Sequence, residues 1–247
     1  MAANKHIAMW TCARSRSTLV MRAFQQLDGC VIFDEPLYPP YLLTQGVEHP
    51  HQLEIIEHYE TDYEKVIQKI TGDLAQGISF SFQKHTANNL QKNLDLHWLV
   101  SFENFFLIRH PKEIISSRQK IYNYPKKFTS HEIGMEDLYN LFILIQEQTE
   151  EIPIVVDSTD LVTNPHKVLQ ALCARFDINY SDKMLTWQSG MRETDPIWAK
   201  TWYTTLFNSS GFIPFSEQKI ILSDHLKLVF EECLPFYEKL YQYRMIV

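Results

Sequence analysis

The sequence predicts an α/β fold: three layers, α/β/α, with a mostly parallel central sheet. Three observations predict it. Short apolar runs recur at residues 6–10, 30–33, 77–82, 105–109 and 152–156, each of strand length. Segments with helical spacing stand between them, and alternation of this kind builds βαβ units. The chain has 247 residues, 45% hydrophobic and 21% charged, enough to bury one core without metal or disulfide staples.

The elements follow in order. Residues 6–10 form a short buried strand. A polar stretch, 11–16, separates it from helical spacing through Leu19, Val20, Ala23, Phe24 and Leu27. Asp28-Gly29 marks a turn before the second strand. Pro36, Pro39 and Pro40 are expected to break regular structure. Residues 52–74 are helical with an interruption near 59–62, and the third strand follows a glycine at 77. Pro111 suits the first turn of a helix running to about residue 122, because its missing N–H is unpaired there anyway. Further helices are expected at 136–148, 165–175 and 216–243, the last broken at Pro235. No internal repeat or low-complexity tract divides the chain, so residues 1–247 are expected to form a single domain.

Charge and cysteine usage exclude several classes. A net charge of −7 disfavours nucleic acid as a partner, since neutralising phosphates requires a basic surface. Cys12, Cys30, Cys173 and Cys233 are scattered, with no CxxC pair, and suit free thiols in a reducing compartment. No apolar run reaches membrane-spanning length, and the first residues lack a signal-peptide core. A cytoplasmic protein without a membrane partner is expected. HExxH patterns and clustered cysteines are absent, so no metal is expected.

Ligands of parallel α/β sheets bind at the carboxyl ends of strands, where strand order reverses. After the first strand comes Thr11-Cys12-Ala13-Arg14-Ser15-Arg16-Ser17-Thr18, then a helix. A helix start offers unpaired N–H groups and a positive dipole end; hydroxyls and guanidiniums add donors. This is the chemistry of a phosphate or sulfate cradle. The competing reading is a serine N-cap beside solvated arginines. The stretch is not GxxxxGK[ST], which disfavours a magnesium-dependent kinase. Asp157, after the fifth strand, is read as a helix cap or turn residue. The fourth strand leads into Arg109 and, two helical turns on, Ser117; these can converge on a second anion.

These residues resemble the sulfotransferase superfamily, enzymes that use 3′-phosphoadenosine 5′-phosphosulfate (PAPS) on a P-loop-like nucleotide-binding fold. The family's PRSG[ST]T[LW] loop is matched by Ala13-Arg14-Ser15-Arg16-Ser17-Thr18-Leu19, and its RxPxxxxxS pattern by Arg109, Pro111 and Ser117. Asp160-Leu161-Val162-Thr163-Asn164-Pro165 is similar to its YEDLxxNP segment. A group of sulfotransferase-like proteins is closer still, through Asp34-Glu35-Pro36-Leu37-Tyr38, Gln83-Lys84-His85, Arg192-Glu193-Thr194-Asp195 with Trp198, and Pro235 to Tyr241. The resemblance covers nearly the whole chain. It implies that Arg14, Ser15, Arg16, Ser17 and Thr18 hold the 5′-phosphosulfate and that Arg109 and Ser117 hold the 3′-phosphate. Two departures stand out: Ala13 replaces the family's proline, and Arg16 its glycine.

Sulfuryl transfer needs in-line positioning, a base for the acceptor proton and positive charge on the leaving group. Glu35, after the second strand, is the first-choice base. His85 is the second, and neighbouring Lys84 suits the leaving phosphate. Trp198, Trp202 and Tyr203 divide evenly between core packing and walling the site. Phe33, Leu37, Tyr38 and Tyr41 are expected to border the acceptor. His49, His51 and His110 are read as structural. The expected activity is transfer of a sulfuryl group from PAPS to a hydroxyl or amine of a small-molecule acceptor, leaving adenosine 3′,5′-bisphosphate. A phosphate-using transferase or kinase on the same layered fold, and a nucleotide-binding protein without catalysis, are the alternatives. Oligomeric state is left open.

Overall fold

A computed structural model describes residues 5–46, 49–91, 93–122, 128–216 and 219–247. Its strands are β1 (Lys5–Thr11), β2 (Cys30–Asp34), β3 (Phe80–Thr86), β4 (Glu103–Ile108) and β5 (Ile154–Asp157). The helices are α1 (Ser17–Phe24), α2 (Tyr38–Gln45), α3 (Gln52–His58), α4 (Tyr63–Thr71), α5 (Pro111–Tyr122), α6 (Ser130–Ile133), α7 (Met135–Thr149), α8 (Ser158–Thr163), α9 (Pro165–Arg175), α10 (Ala199–Trp202), α11 (Thr204–Phe207) and α12 (Asp224–Tyr241).

The five strands form one sheet in the order β2-β3-β1-β4-β5, and every pairing is parallel. The period-2 pleat splits their side chains between two cores. Ala8, Trp10, Phe106 and Ile108 face α4, α5, α7 and α12. Ile7, Met9, Phe105 and Leu107 face α1, α8 and α9. Two cores on one sheet give the expected three layers. From central β1 the chain runs outward to β2, returns through β3, then crosses to β4. The carboxyl ends of β3, β1 and β4 therefore flank the reversal of strand order, where such sheets bind ligands.

Three local expectations need correction. Pro39 and Pro40 do not exclude regular structure; they lie in the first turn of α2, where no intrahelical N–H is lost. Pro235 does not break α12, which continues to Tyr241. Leu226, Val229, Cys233, Tyr237 and Leu240 bury one stripe of that helix and hold it across the missing bond. The third strand spans 80–86 rather than 77–82. Its polar run, Gln83-Lys84-His85, is strand because each member finds a buried partner.

A buried ion pair fixes the layer above the sheet ends. Arg22 on α1 meets Asp195 at 2.6 Å, and both side chains are only 2% exposed. Asp195 also accepts the Arg192 N–H at 2.8 Å, and Gln25 accepts from Arg22 and Arg192. The Arg192-Glu193-Thr194-Asp195 stretch thus clamps the chain leading to α10 onto α1. Removing one partner of a buried pair strands the other charge. Asp195→Ala is expected to lower unfolding free energy by about 3–5 kcal/mol in urea titrations; a loss under about 1 kcal/mol would show that the pair is not a clamp.

Candidate active site

The loop after β1 turns by adopting backbone that favours glycine. Arg14 has φ 72° and Arg16 φ 66°, both left-handed, at a cost of roughly 1–2 kcal/mol per residue. Alternation of this kind gathers backbone N–H groups into an anion-binding concavity. Arg16 is the N-cap of α1 and makes no side-chain capping bond, which leaves the helix start open to a ligand. Arg16 thus keeps the backbone shape expected of a glycine there. Its guanidinium is drawn aside, with Nη2 donating to Glu113 at 3.1 Å and Nη1 to the Ser158 carbonyl at 3.4 Å.

The two anion notches meet. Arg109, just beyond β4, donates through Nη1 to the Arg14 carbonyl at 2.7 Å and through Nε to Glu113 at 2.9 Å. Arg14 donates through Nε to Ser117 at 3.3 Å and through Nη1 to the Trp202 carbonyl at 3.0 Å. Arg14, Arg16, Ser17, Thr18, Arg109 and Ser117 line one cavity of about 580 Å³. A second cavity of about 600 Å³ adjoins it, sharing Arg16, Arg109 and Ser117 and adding Lys112. Burial, then the charge of Arg16, pushes Arg109 down to about 10 against the pull of Glu113. The Arg109 guanidinium is held at the cavity wall by Glu113 and the Arg14 carbonyl. Ser15 does not face the cavity; it is fully buried behind the loop.

Beside this cradle lies a buried ammonium. Lys84 on β3 pairs in register with Asp34 on β2. Its Nζ donates to Asp34 at 2.7 Å, to Tyr203 Oη at 2.8 Å, and to Glu35. The Tyr203 hydroxyl donates in turn to Asp34 Oδ2 at 2.7 Å. Burial alone would lower the lysine pKa; Asp34 and Glu35 outweigh it and hold Lys84 above its ordinary value. Burial raises Asp34, with Lys84 opposing. Glu35 sits in a left-handed turn at φ 48°, its N–H bonded to the Lys84 carbonyl at 2.8 Å. Its side chain is 17% exposed against 6% for Asp34, so Glu35 is the carboxylate open to the cavity.

His85 is not brought to this group. The pleat turns it to the opposite sheet face, where its ring stacks on Trp10 at 4.5 Å and Nε2 lies 3.2 Å from Gln83. Burial, reinforced by Lys84, lowers it to about 3. It does not line the cavity, so the geometry offers it no acceptor proton. Trp198 and Tyr203 prove to be both core and cavity wall. Asp157 caps α8 through Thr159 at 2.7 Å and accepts from Tyr237 at 2.9 Å. Lys200 pairs outward with Glu54 at 3.6 Å. Asp34 and Glu113 join the site although neither was a sequence candidate; Tyr203 was a candidate wall, but its bond to Lys84 was not foreseen. Glu113 had a signal, since it stands four residues after Arg109 near a helix start. The Tyr203–Lys84 bond had none, because no local spacing ties Tyr203 to β2 or β3. No group of three or more metal-ligating side chains occurs among the described residues.

Residues 5–243 match a family model described as "Sulfotransferase domain", and the chain belongs to that family. It is 34% identical over 94% of its length to "Branched-chain-amino-acid aminotransferase-like protein 2" of Arabidopsis thaliana, of which it covers 40%. The chain thus spans about two fifths of the curated relatives it matches. It is similar in fold to a sulfotransferase from Alicyclobacillus acidocaldarius, with TM-score 0.56, 11% identity, and coverage of 100% and 98% of the two chains. The sulfotransferase domain from the curacin biosynthetic pathway gives TM-score 0.50, 14% identity, and coverage of 94% and 98%.

The depressed histidine has a measurable consequence. An unfolded chain protonates His85 near pH 6.5 while the folded chain refuses the proton down to about 3. Its contribution is therefore complete above pH 6.5 and is lost as pH falls toward 3. Between pH 7 and 5 the stability difference between wild type and His85→Phe is expected to move by about 2 kcal/mol against the wild type, read from urea unfolding at each pH. A difference independent of pH would show that His85 takes its proton in the fold.

Proposed function

We propose that this chain transfers a sulfuryl group from PAPS to a hydroxyl or amine of a small molecule, with Glu35 as the base. The observation that carries the reading is the junction of the two notches, where Arg109 bonds the Arg14 carbonyl at 2.7 Å and Arg14 bonds Ser117 at 3.3 Å. One ligand with two separated anionic groups reaches both. The cavity chemistry fits such a donor: Arg14, Arg16 and Arg109 all line it, and Arg16 and Arg109 share the carboxylate of Glu113. When bound, PAPS supplies the activated sulfuryl group.

The chain's own residues then divide the work. Ser17, Thr18 and the start of α1 cradle one anionic end; Arg109 and Ser117 take the other. Lys84 holds its proton and places positive charge at the edge of the cradle, where charge develops on a leaving oxygen. Glu35, released from Lys84 as that ammonium turns to the donor, accepts the acceptor proton. Asp34 and Tyr203 position Lys84 and keep it charged through that exchange. No thiol is disulfide-bonded, which accords with a reducing, cytoplasmic setting.

Two measurements test this. Calorimetry with adenosine 3′,5′-bisphosphate is expected to show Arg109→Ala binding about 1.5–3 kcal/mol more weakly than wild type; equal affinities would overturn the assignment. With a transferable acceptor, Glu35→Gln is expected to lower kcat about 10²–10⁴-fold while bisphosphate affinity stays unchanged. Stabilisation by ATP with magnesium and not by the bisphosphate would favour a phosphoryl-transferring enzyme instead.

A further inference from the structure

Two kinds of surface wall the cavity next to Glu35 and Lys84. One is aromatic. Tyr38 stands three residues after Glu35 and lies near parallel to Tyr41, with ring centroids 6.4 Å apart. Trp198 meets Tyr38 edge-on at 5.2 Å. The other surface is polar. Thr86 follows Lys84 by two residues, so the pleat sets it on the same face of β3. Asn88 and Asn89 come next in the turn. All six residues line the cavity.

The polar wall has unspent hydrogen-bonding capacity. Thr86 and Asn89 are 5% and 3% exposed, yet Thr86 Oγ1 and Asn89 Nδ2 have no hydrogen-bond partner among the described residues. Asn88 Oδ1 and the indole Nε1 of Trp198 are buried and unpaired in the same way. Buried polar atoms are nearly always bonded, because leaving one unpaired forfeits its solvation. These four atoms are shielded as the side chains stand, but they belong to residues that line one cavity, and a ligand's polar groups can pair them as those side chains turn. They combine a hydroxyl, amide groups and an N–H donor, so the ligand must both donate and accept at several points.

We infer that this wall is the acceptor subsite and that it takes a polyhydroxylated ring, a sugar or a cyclitol, rather than a phenol or an apolar alcohol. The inference rests on the sulfuryl-transfer reading and names its acceptor class. Each ring hydroxyl donates and accepts, which matches the mixed polar set. The C–H face of the ring packs on Tyr38 and Trp198, and one hydroxyl presents its proton to Glu35. A phenol satisfies the aromatic side and leaves Thr86, Asn88 and Asn89 dry and unpaired, the arrangement that strong polar discrimination exploits.

Ligand-detected NMR titrations with methyl β-glucopyranoside, myo-inositol and 4-nitrophenol test the inference, alongside bisphosphate calorimetry on the same samples. The polyols are expected to bind. Thr86→Val and Asn88→Leu are each expected to weaken them about tenfold, with 4-nitrophenol and bisphosphate affinities unchanged. Thr86→Val keeps the shape of the side chain, and retained bisphosphate binding shows that a variant is folded. Bisphosphate binding without polyol binding, polyol affinity unmoved by both substitutions, or preference for 4-nitrophenol overturns the acceptor inference. Polyol binding that responds to the substitutions, with no bisphosphate binding, supports the subsite and overturns the PAPS reading.

Discussion

One buried ammonium organises the end of the molecule that holds the candidate site. Lys84 joins the end of β3 to Asp34 on β2, to Glu35 in the following turn and to Tyr203. A lysine there is costly to desolvate, and its carboxylate partners repay that cost only while the geometry holds. The arrangement therefore requires the β2–β3 register, the left-handed turn at Glu35 and the placement of Tyr203 together. The Arg22–Asp195 clamp gives the last of these, by pinning the chain ahead of α10. Stability and chemistry share the same few contacts.

Much of the fold was legible from periodicity. Apolar runs of strand length alternate with helical segments, and a parallel sheet buried on both faces has that signature. The errors cluster where polarity and burial disagree. Gln83, Lys84 and His85 are polar by type but buried in β3, and they displaced the expected strand toward Gly77. Prolines misled in the other direction, because their cost depends on position within a helix rather than on presence alone.

Site legibility follows how far apart the partners lie in the chain. The β1 loop, Arg109 and Ser117 are local motifs whose residue types state their chemistry, and the fold unites them at Arg14. Period-2 geometry sends Lys84 and His85 to opposite sheet faces, which a short motif does not reveal until the strand register is known. Tyr203 reaches Lys84 across 119 positions of sequence, and only the tertiary fold shows that contact. The net charge of −7 likewise hid a cationic hollow, since the arginines are few and concentrated.

The clamp between α1 and residues 192–195 also sets the unit in which this scaffold can be recombined. Helix α1, which follows the β1 loop, carries Arg22 and is capped by Gln25; together they anchor the 192–203 stretch, whose Trp198, Trp202 and Tyr203 form a roof on the cavity. A chimaera that grafted a relative's roof without α1 would bury an orphaned guanidinium and release the tyrosine above the ammonium. The β1 loop and the roof form one inheritable module, although most of the chain lies between them.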